Sequence, residues 1–197
     1  MKYSQQIEKI IKDNNGVVTN EIFDNNKIPR IYLSRMVKNN SLTRVARGVY
    51  TTKDGIFDDY FFFQKQFSKA IFSFQSALYF HQLTDRVPFQ KEVTLYKGYN
   101  PHSIPSNVKL HFVKREIYEL GITCLETQFG NRIKVYDKEK TICDLIKNRS
   151  LMDVEIFKKA ITLYFENKDK NLLKLYQYAR IMKIEDKVND IVEVVYG

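Results

Sequence analysis

The sequence predicts an α+β fold: an N-terminal winged helix-turn-helix followed by a mixed α/β domain with a helical C-terminal third. Three observations predict it. Apolar residues recur at helical spacing in three short N-terminal segments, and two β-like runs follow them. Apolar and polar side chains alternate in the middle of the chain, as in half-buried strands. From Asp137 onward the period returns to that of a helix. A chain of 197 residues, 44% apolar and 28% charged, can bury one large core or two small ones.

In the first segment Ser4 can cap a helix whose Ile7, Ile10 and Ile11 share a face. Asn14-Asn15-Gly16 stops it, since Asn and Gly tolerate the left-handed backbone of a helix end. Thr19 reads as the N-cap of a short second helix with Ile22 and Phe23 inward, ended by Asn25-Asn26. Pro29 suits the first turn of a third helix, where its missing N–H costs nothing. On that helix Leu33, Met36 and Val37 share one face. Ile31, Ser34, Arg35 and Lys38 point the other way, with Arg30 and Tyr32 on the flanks. Beyond Asn39-Asn40, residues 42–45 and 49–51 are β-like and joined by Ala46-Arg47-Gly48. The polar stretch 51–55 (TTKDG) marks a boundary, giving a winged helix-turn-helix domain of residues 1–55 and a second domain of residues 56–197.

In the second domain Asp58-Asp59 begin a helix through residues 60–67, where the Phe61-Phe62-Phe63 run implies burial on more than one side. Residues 70–74 read as a strand and 76–83 as a helix. Residues 91–96 and 108–114 read as half-buried strands separated by a loop with two prolines. Residues 117–126 and 133–135 extend the strands around a turn at Gly130-Asn131. The C-terminal third then places Ile142, Leu145 and Ile146, Phe157, Ala160 and Ile161, Leu175 and Ala179, and Val188 and Ile191 on successive helix faces.

Charge distinguishes the two parts. The formal net charge is +9, from 32 Lys and Arg against 23 Asp and Glu. Residues 1–52 hold nine of the basic groups but four acids (Glu8, Asp13, Glu21 and Asp24), a far denser excess than in the remainder. Such an excess suits a polyanion, although a solvated lysine-rich surface produces it too. Its position decides: Arg30, Arg35, Lys38, Arg44 and Arg47 all fall on the third helix or the hairpin. A helix fits the major groove, and its outer face needs Arg, Lys or Ser to meet phosphates and base edges. The expected DNA contacts are therefore Ser34, Arg35 and Lys38 in the major groove, with Lys27, Arg30, Arg44 and Arg47 on phosphates or at the wing. A three-helix protein-interaction module with a basic surface is the competing reading.

Other chemistry finds little support. Two cysteines, Cys124 and Cys143, fit a reducing compartment, and neither has a CxxC partner. His81, His102 and His111 lack ligand spacing, so no metal is expected. No phosphate-binding Gly-rich loop is present, and no cofactor is expected. Asp137, Glu139 and Lys140 superficially suggest a nuclease cluster but lack its spacing and suit a helix start better. The 13 Tyr and 14 Phe could stack bases, yet core packing accounts for them more simply. No apolar run approaches the ~18 residues of a membrane helix, so a cytoplasmic protein without catalytic centre or membrane contact is expected.

Three segments in order resemble the AbiEi antitoxin family: residues 33–50 (LSRMVK through LTRVARGVY), 72–86 (FSFQSALYFHQLTDR) and 135–145 (VYDKEKTICDL). Where that family often carries His-Glu, this chain has Phe74-Gln75, so no role is given to those side chains. The resemblance implies the antitoxin of a type IV toxin–antitoxin pair linked to abortive phage infection. It implies repression of its own operon through inverted repeats in double-stranded operator DNA. It also implies opposition to a nucleotidyltransferase-like toxin without a stable complex. A winged-helix regulator whose second domain only dimerises or senses a ligand is the alternative, and an enzyme acting on nucleic acid or the toxin is a further one.

Overall fold

The computed structural model describes residues 3–102 and 104–196. The chain divides into two compact units, one up to Phe62 and one from Phe63 on.

The first unit runs α1 (Ser4–Asp13), β1 (Val17–Thr19), α2 (Asn20–Asn25), α3 (Ile31–Lys38), β2 (Thr43–Ala46) and β3 (Val49–Thr51). This is the element order of a winged helix. The strands form an antiparallel sheet in the order β1-β3-β2. Asn15 and Gly16 leave α1 with positive φ, and Thr19 accepts from Ile22 N at 3.2 Å as the cap of α2. Around them Val18, Phe23, Ile28, Leu33 and Leu42 are buried with Ile7 and Ile10.

Three local expectations are corrected. Ser4 is the first helical residue and not the cap, a place Tyr3 takes without a side-chain hydrogen bond. Pro29 lies ahead of α3, where its carbonyl accepts from Tyr32 N at 3.1 Å, and Arg30 stands at the N-cap. Strand β1 was not expected, since three consecutive buried residues carry no alternation to read. The polar stretch 51–55 is tied back onto the first unit: Thr52 N donates to Gly16 O at 2.8 Å and Ile56 N to Asn15 O at 3.0 Å. Gly16 permits this approach, because at φ +81° a Cβ would lie 2.6 Å from the Gly55 backbone.

Helix α4 (Asp59–Gln66) starts where Asp58 Oδ1 accepts from Phe61 N at 3.1 Å, and it carries the chain across the division. The second unit continues with β4 (Ile71–Phe72), α5 (Phe74–Phe80), β5 (Lys91–Tyr96), β6 (Val108–Val113), α6 (Arg115–Tyr118), β7 (Ile122–Glu126) and β8 (Arg132–Tyr136). Then come α7 (Lys138–Lys147), a 3-10 turn (Arg149–Leu151), α8 (Val154–Glu166), α9 (Leu172–Met182) and α10 (Glu185–Tyr196). Its mixed sheet has the order β6-β5-β4-β8-β7. The β5–β6 and β4–β8 pairs are parallel, and the β4–β5 and β7–β8 pairs antiparallel.

The strand over 70–74 shrinks to two residues, and α5 begins at Phe74 instead of residue 76. Phe74 enters it at φ +47°, a backbone that its aromatic side chain gave no reason to expect. Residues 117 and 118, expected to begin a strand, instead close the short helix α6, and Tyr118 is anchored there by its hydroxyl donating to Lys69 O at 2.8 Å. Strand β5 is not half-buried: Glu92, Val93, Thr94 and Leu95 are all inside, since β5 lies within the sheet and α5 and α6 pack on it. Helix α7 is enclosed by α5, α8, α9 and α10, so residues 139–146 are buried on every side. Among the described residues no helix is long and apolar enough to cross a membrane.

Candidate nucleic-acid interface

Helix α3 presents two faces. Leu33 is buried and Met36 and Val37 are half-buried against the first core. Ile31, Ser34, Arg35 and Lys38 are exposed, one helical stripe on the opposite side. Arg35 and Lys38 sit in the last turn, where cations favour the negative dipole end. The Arg35 guanidinium lies 5.6 Å from the Tyr32 ring centre, and Tyr32 packs edge-on against Tyr3 at 5.4 Å. Among the described residues neither Arg35 nor Lys38 has an acidic partner within ion-pair distance.

The remaining expected residues flank that stripe or occupy the hairpin. Lys27 is exposed in the α2–α3 turn at φ +55°, its N–H on Asp24 O at 2.9 Å. Arg30 is exposed but engaged: its Nε donates to Asp24 Oδ1 at 2.9 Å and its terminal nitrogen pairs with Asp24 Oδ2. That hydrogen bond holds the Asp24 carboxyl below the usual carboxylate range and raises the Arg30 guanidinium. Arg44 is exposed on β2 beside a register shift, with its Nε 3.4 Å from Ala46 O. Arg47 is exposed in the turn, next to Gly48 at φ +72°. The Gly48 carbonyl accepts from Asn20 N at 2.9 Å and ties the hairpin to the start of α2.

The sequence reading missed Asp24 as the partner of Arg30. The two are six residues apart across a turn, a spacing that marks no regular element. It also missed a set of charges buried in the second unit. Lys140 Nζ lies 2.7 and 2.6 Å from the two Asp144 carboxylate oxygens, with both side chains buried and the Tyr136 ring 4.2 Å away. Burial raises the Asp144 carboxyl, and the Lys140 ammonium opposes the rise. Burial also pushes the Cys143 thiol up to about 12, so it is no nucleophile. Asp137 caps α7 by accepting from Lys140 N at 2.8 Å, and its other oxygen meets Lys174 at 2.7 Å and the Tyr178 hydroxyl at 3.0 Å. These groups are consumed by one another and brace the helix. Among the described residues no cluster of three or more His, Cys, Asp or Glu side chains is placed to hold a metal.

The fold and this face define a class: a two-unit α/β protein whose first unit sets a basic helix beside a basic hairpin, a surface suited to nucleic acid. Residues 5–53 match the model of the AbiEi family, described as "Transcriptional regulator, AbiEi antitoxin". Among solved structures, the chain is similar in fold to the Rv2827c protein from Mycobacterium tuberculosis, with a TM-score of 0.65 at 12% identity. That alignment covers 94% of this chain and 76% of the other. No curated protein matches the chain.

Proposed function

We propose that the chain is an antitoxin and DNA-binding autorepressor, with residues 1–55 reading operator DNA and residues 56–197 opposing the toxin. The observation that carries the DNA-binding half is the set of exposed cations on one stripe of α3 and on the hairpin turn, Arg35, Lys38 and Arg47, without acidic partners among the described residues. The AbiEi match over residues 5–53 covers that surface. In this reading Ser34, Arg35 and Lys38 enter the major groove, and Lys27, Arg30, Arg44 and Arg47 contact phosphates. The partner toxin is a nucleotidyltransferase-like enzyme of an abortive-infection system, countered without a stable complex, and the antitoxin itself works by binding and not by catalysis.

The test is a gel-shift titration against the chain's own upstream DNA and an unrelated duplex at several salt concentrations. A preference of about 100-fold or more for the upstream DNA supports a sequence-reading repressor. Arg47→Ala should weaken both complexes alike and flatten the salt dependence by about one unit of slope, whereas Arg35→Ala should relax specificity. Equal binding of the two duplexes, or an unchanged salt slope in Arg47→Ala, overturns the reading. Co-expression with the toxin then tests the second half, with rescue expected and no co-purifying complex.

A further inference from the structure

We propose that the groove between α8 and α10 binds a linear amphipathic carboxylate, a free fatty acid of about twelve carbons. Both helices pack on α7, which leaves a trough of about 760 Å³ between them. That volume lies in the range of ordinary small-molecule sites. Val154, Phe157, Ile161 and Phe165 of α8 recur at helical spacing along one wall, and Ile191 and Val195 of α10 form the other. Phe165 meets Tyr196 edge-on at 5.7 Å at one end. The rim is apolar and open to water: Val154 is 65% exposed and Val194 84%.

Charge selects the occupant. Arg149 and Lys158 line the trough at the Phe157 end, with the Arg149 guanidinium 5.1 Å from the Phe157 ring centre. Neither cation has an acidic partner within ion-pair distance among the described residues. Among the described residues the one acid on the lining is Glu166, eight residues beyond Lys158 and so about 12 Å farther along α8. Among the described residues the lining therefore sets two positive charges at one end of an apolar channel and a negative one at the other, which suits an extended chain with a single anionic head. Val154 to Phe165 spans about 16 Å of helix, the length of an extended chain of roughly a dozen carbons.

Calorimetric titration of the full chain with saturated carboxylates from six to fourteen carbons tests this. Saturable one-to-one binding is expected, tightening about fourfold per added methylene. The gain should stop once the trough is filled, near twelve carbons. Arg149→Gln with Lys158→Gln, both exposed positions, should weaken dodecanoate at least tenfold while leaving the uncharged alcohol of the same length unaffected. Val194→Glu should weaken both. The absence of saturable binding overturns the proposal, as does equal affinity in the doubly neutralised variant. Dimers in sedimentation that Val194→Glu dissociates, without carboxylate binding, would make the trough a self-interface and overturn it as well. Uptake only onto anionic phosphatidylglycerol vesicles, with no binding of monomeric dodecanoate, would do the same.

Discussion

Asp24 sets how much of the Arg30 charge is available to a polyanion. The pair is exposed on both sides, so it adds little to stability, and ordinary salt screens it. Its effect on a phosphate is larger, since Asp24 both occupies the guanidinium and repels the incoming anion. Asp24→Asn should leave the melting temperature unchanged to within a degree or two. Affinity for operator DNA should rise about threefold and the salt slope should steepen by up to one unit, as one more counterion is released. Gel shifts of the variant at three salt concentrations measure both. An unchanged slope would show that Arg30 does not reach a phosphate. Lys27, Arg35, Lys38, Arg44 and Arg47 were legible as surface cations because helical phase and turn position expose them whatever they touch. The restraint on Arg30 was not, because it depends on a turn that brings Asp24 back beside it.

Helix α7 shows what an element needs when it is surrounded by others. Its residues 139–146 are buried on all sides, yet Glu139, Lys140, Thr141 and Asp144 are polar. Each has a partner: Lys140 with Asp144, Glu139 with the Tyr164 hydroxyl at 3.4 Å and Asn171 N at 3.1 Å, and Thr141 with Asp137 O at 2.7 Å. Removing one member of a buried ion pair strands the other in low dielectric. Lys140→Met should therefore cost about 3–5 kcal/mol by urea titration, and adding Asp144→Leu should recover most of that loss. A double variant no more stable than Lys140→Met would mean that packing around α7, not the stranded charge, sets the cost. The helix itself was legible from the Asp137 cap and the Ile142, Leu145 and Ile146 spacing. Its full enclosure was not, since four polar residues among eight read as a solvent face until their pairings within α7, and those of Glu139 with Tyr164 on α8 and Asn171 ahead of α9, are in place. The short pieces β1, β4 and α6 escaped for a related reason: two to four residues are too few to show a period, and tertiary contacts decide their form.

At the scale of the whole molecule, the two units differ in what holds them. The first closes a small core around Phe23, Leu33 and Val18, and its 51–55 segment is bonded back to the end of α1. The second encloses a helical core around α7 and a five-stranded sheet of mixed direction. Strand order was beyond the sequence, because alternation marks a strand without naming its neighbour. Separate cores imply separate folding, with a consequence for where the chain can be cut. A fragment ending at residue 50 loses Thr51, which pairs with both Val17 and Thr43 at the end of β3, the middle strand of the first sheet, and with it the bond from Thr52 N to Gly16 O. A fragment of residues 1–62 keeps both, but a domain of that size hides only about 60% of its chain surface on folding and is marginal. Residues 1–62 should therefore melt cooperatively, at a lower temperature than the full chain, and shift operator DNA with the full-length salt slope. Residues 1–50 should do neither. Residues 63–197 should fold and rescue cells from the toxin without binding DNA. Circular dichroism melts, gel shifts and co-expression measure these three properties. A fragment 1–62 that stays unfolded at 10 °C would mean that the first unit depends on the second, and repression and toxin neutralisation could then no longer be assigned to separate pieces of the chain.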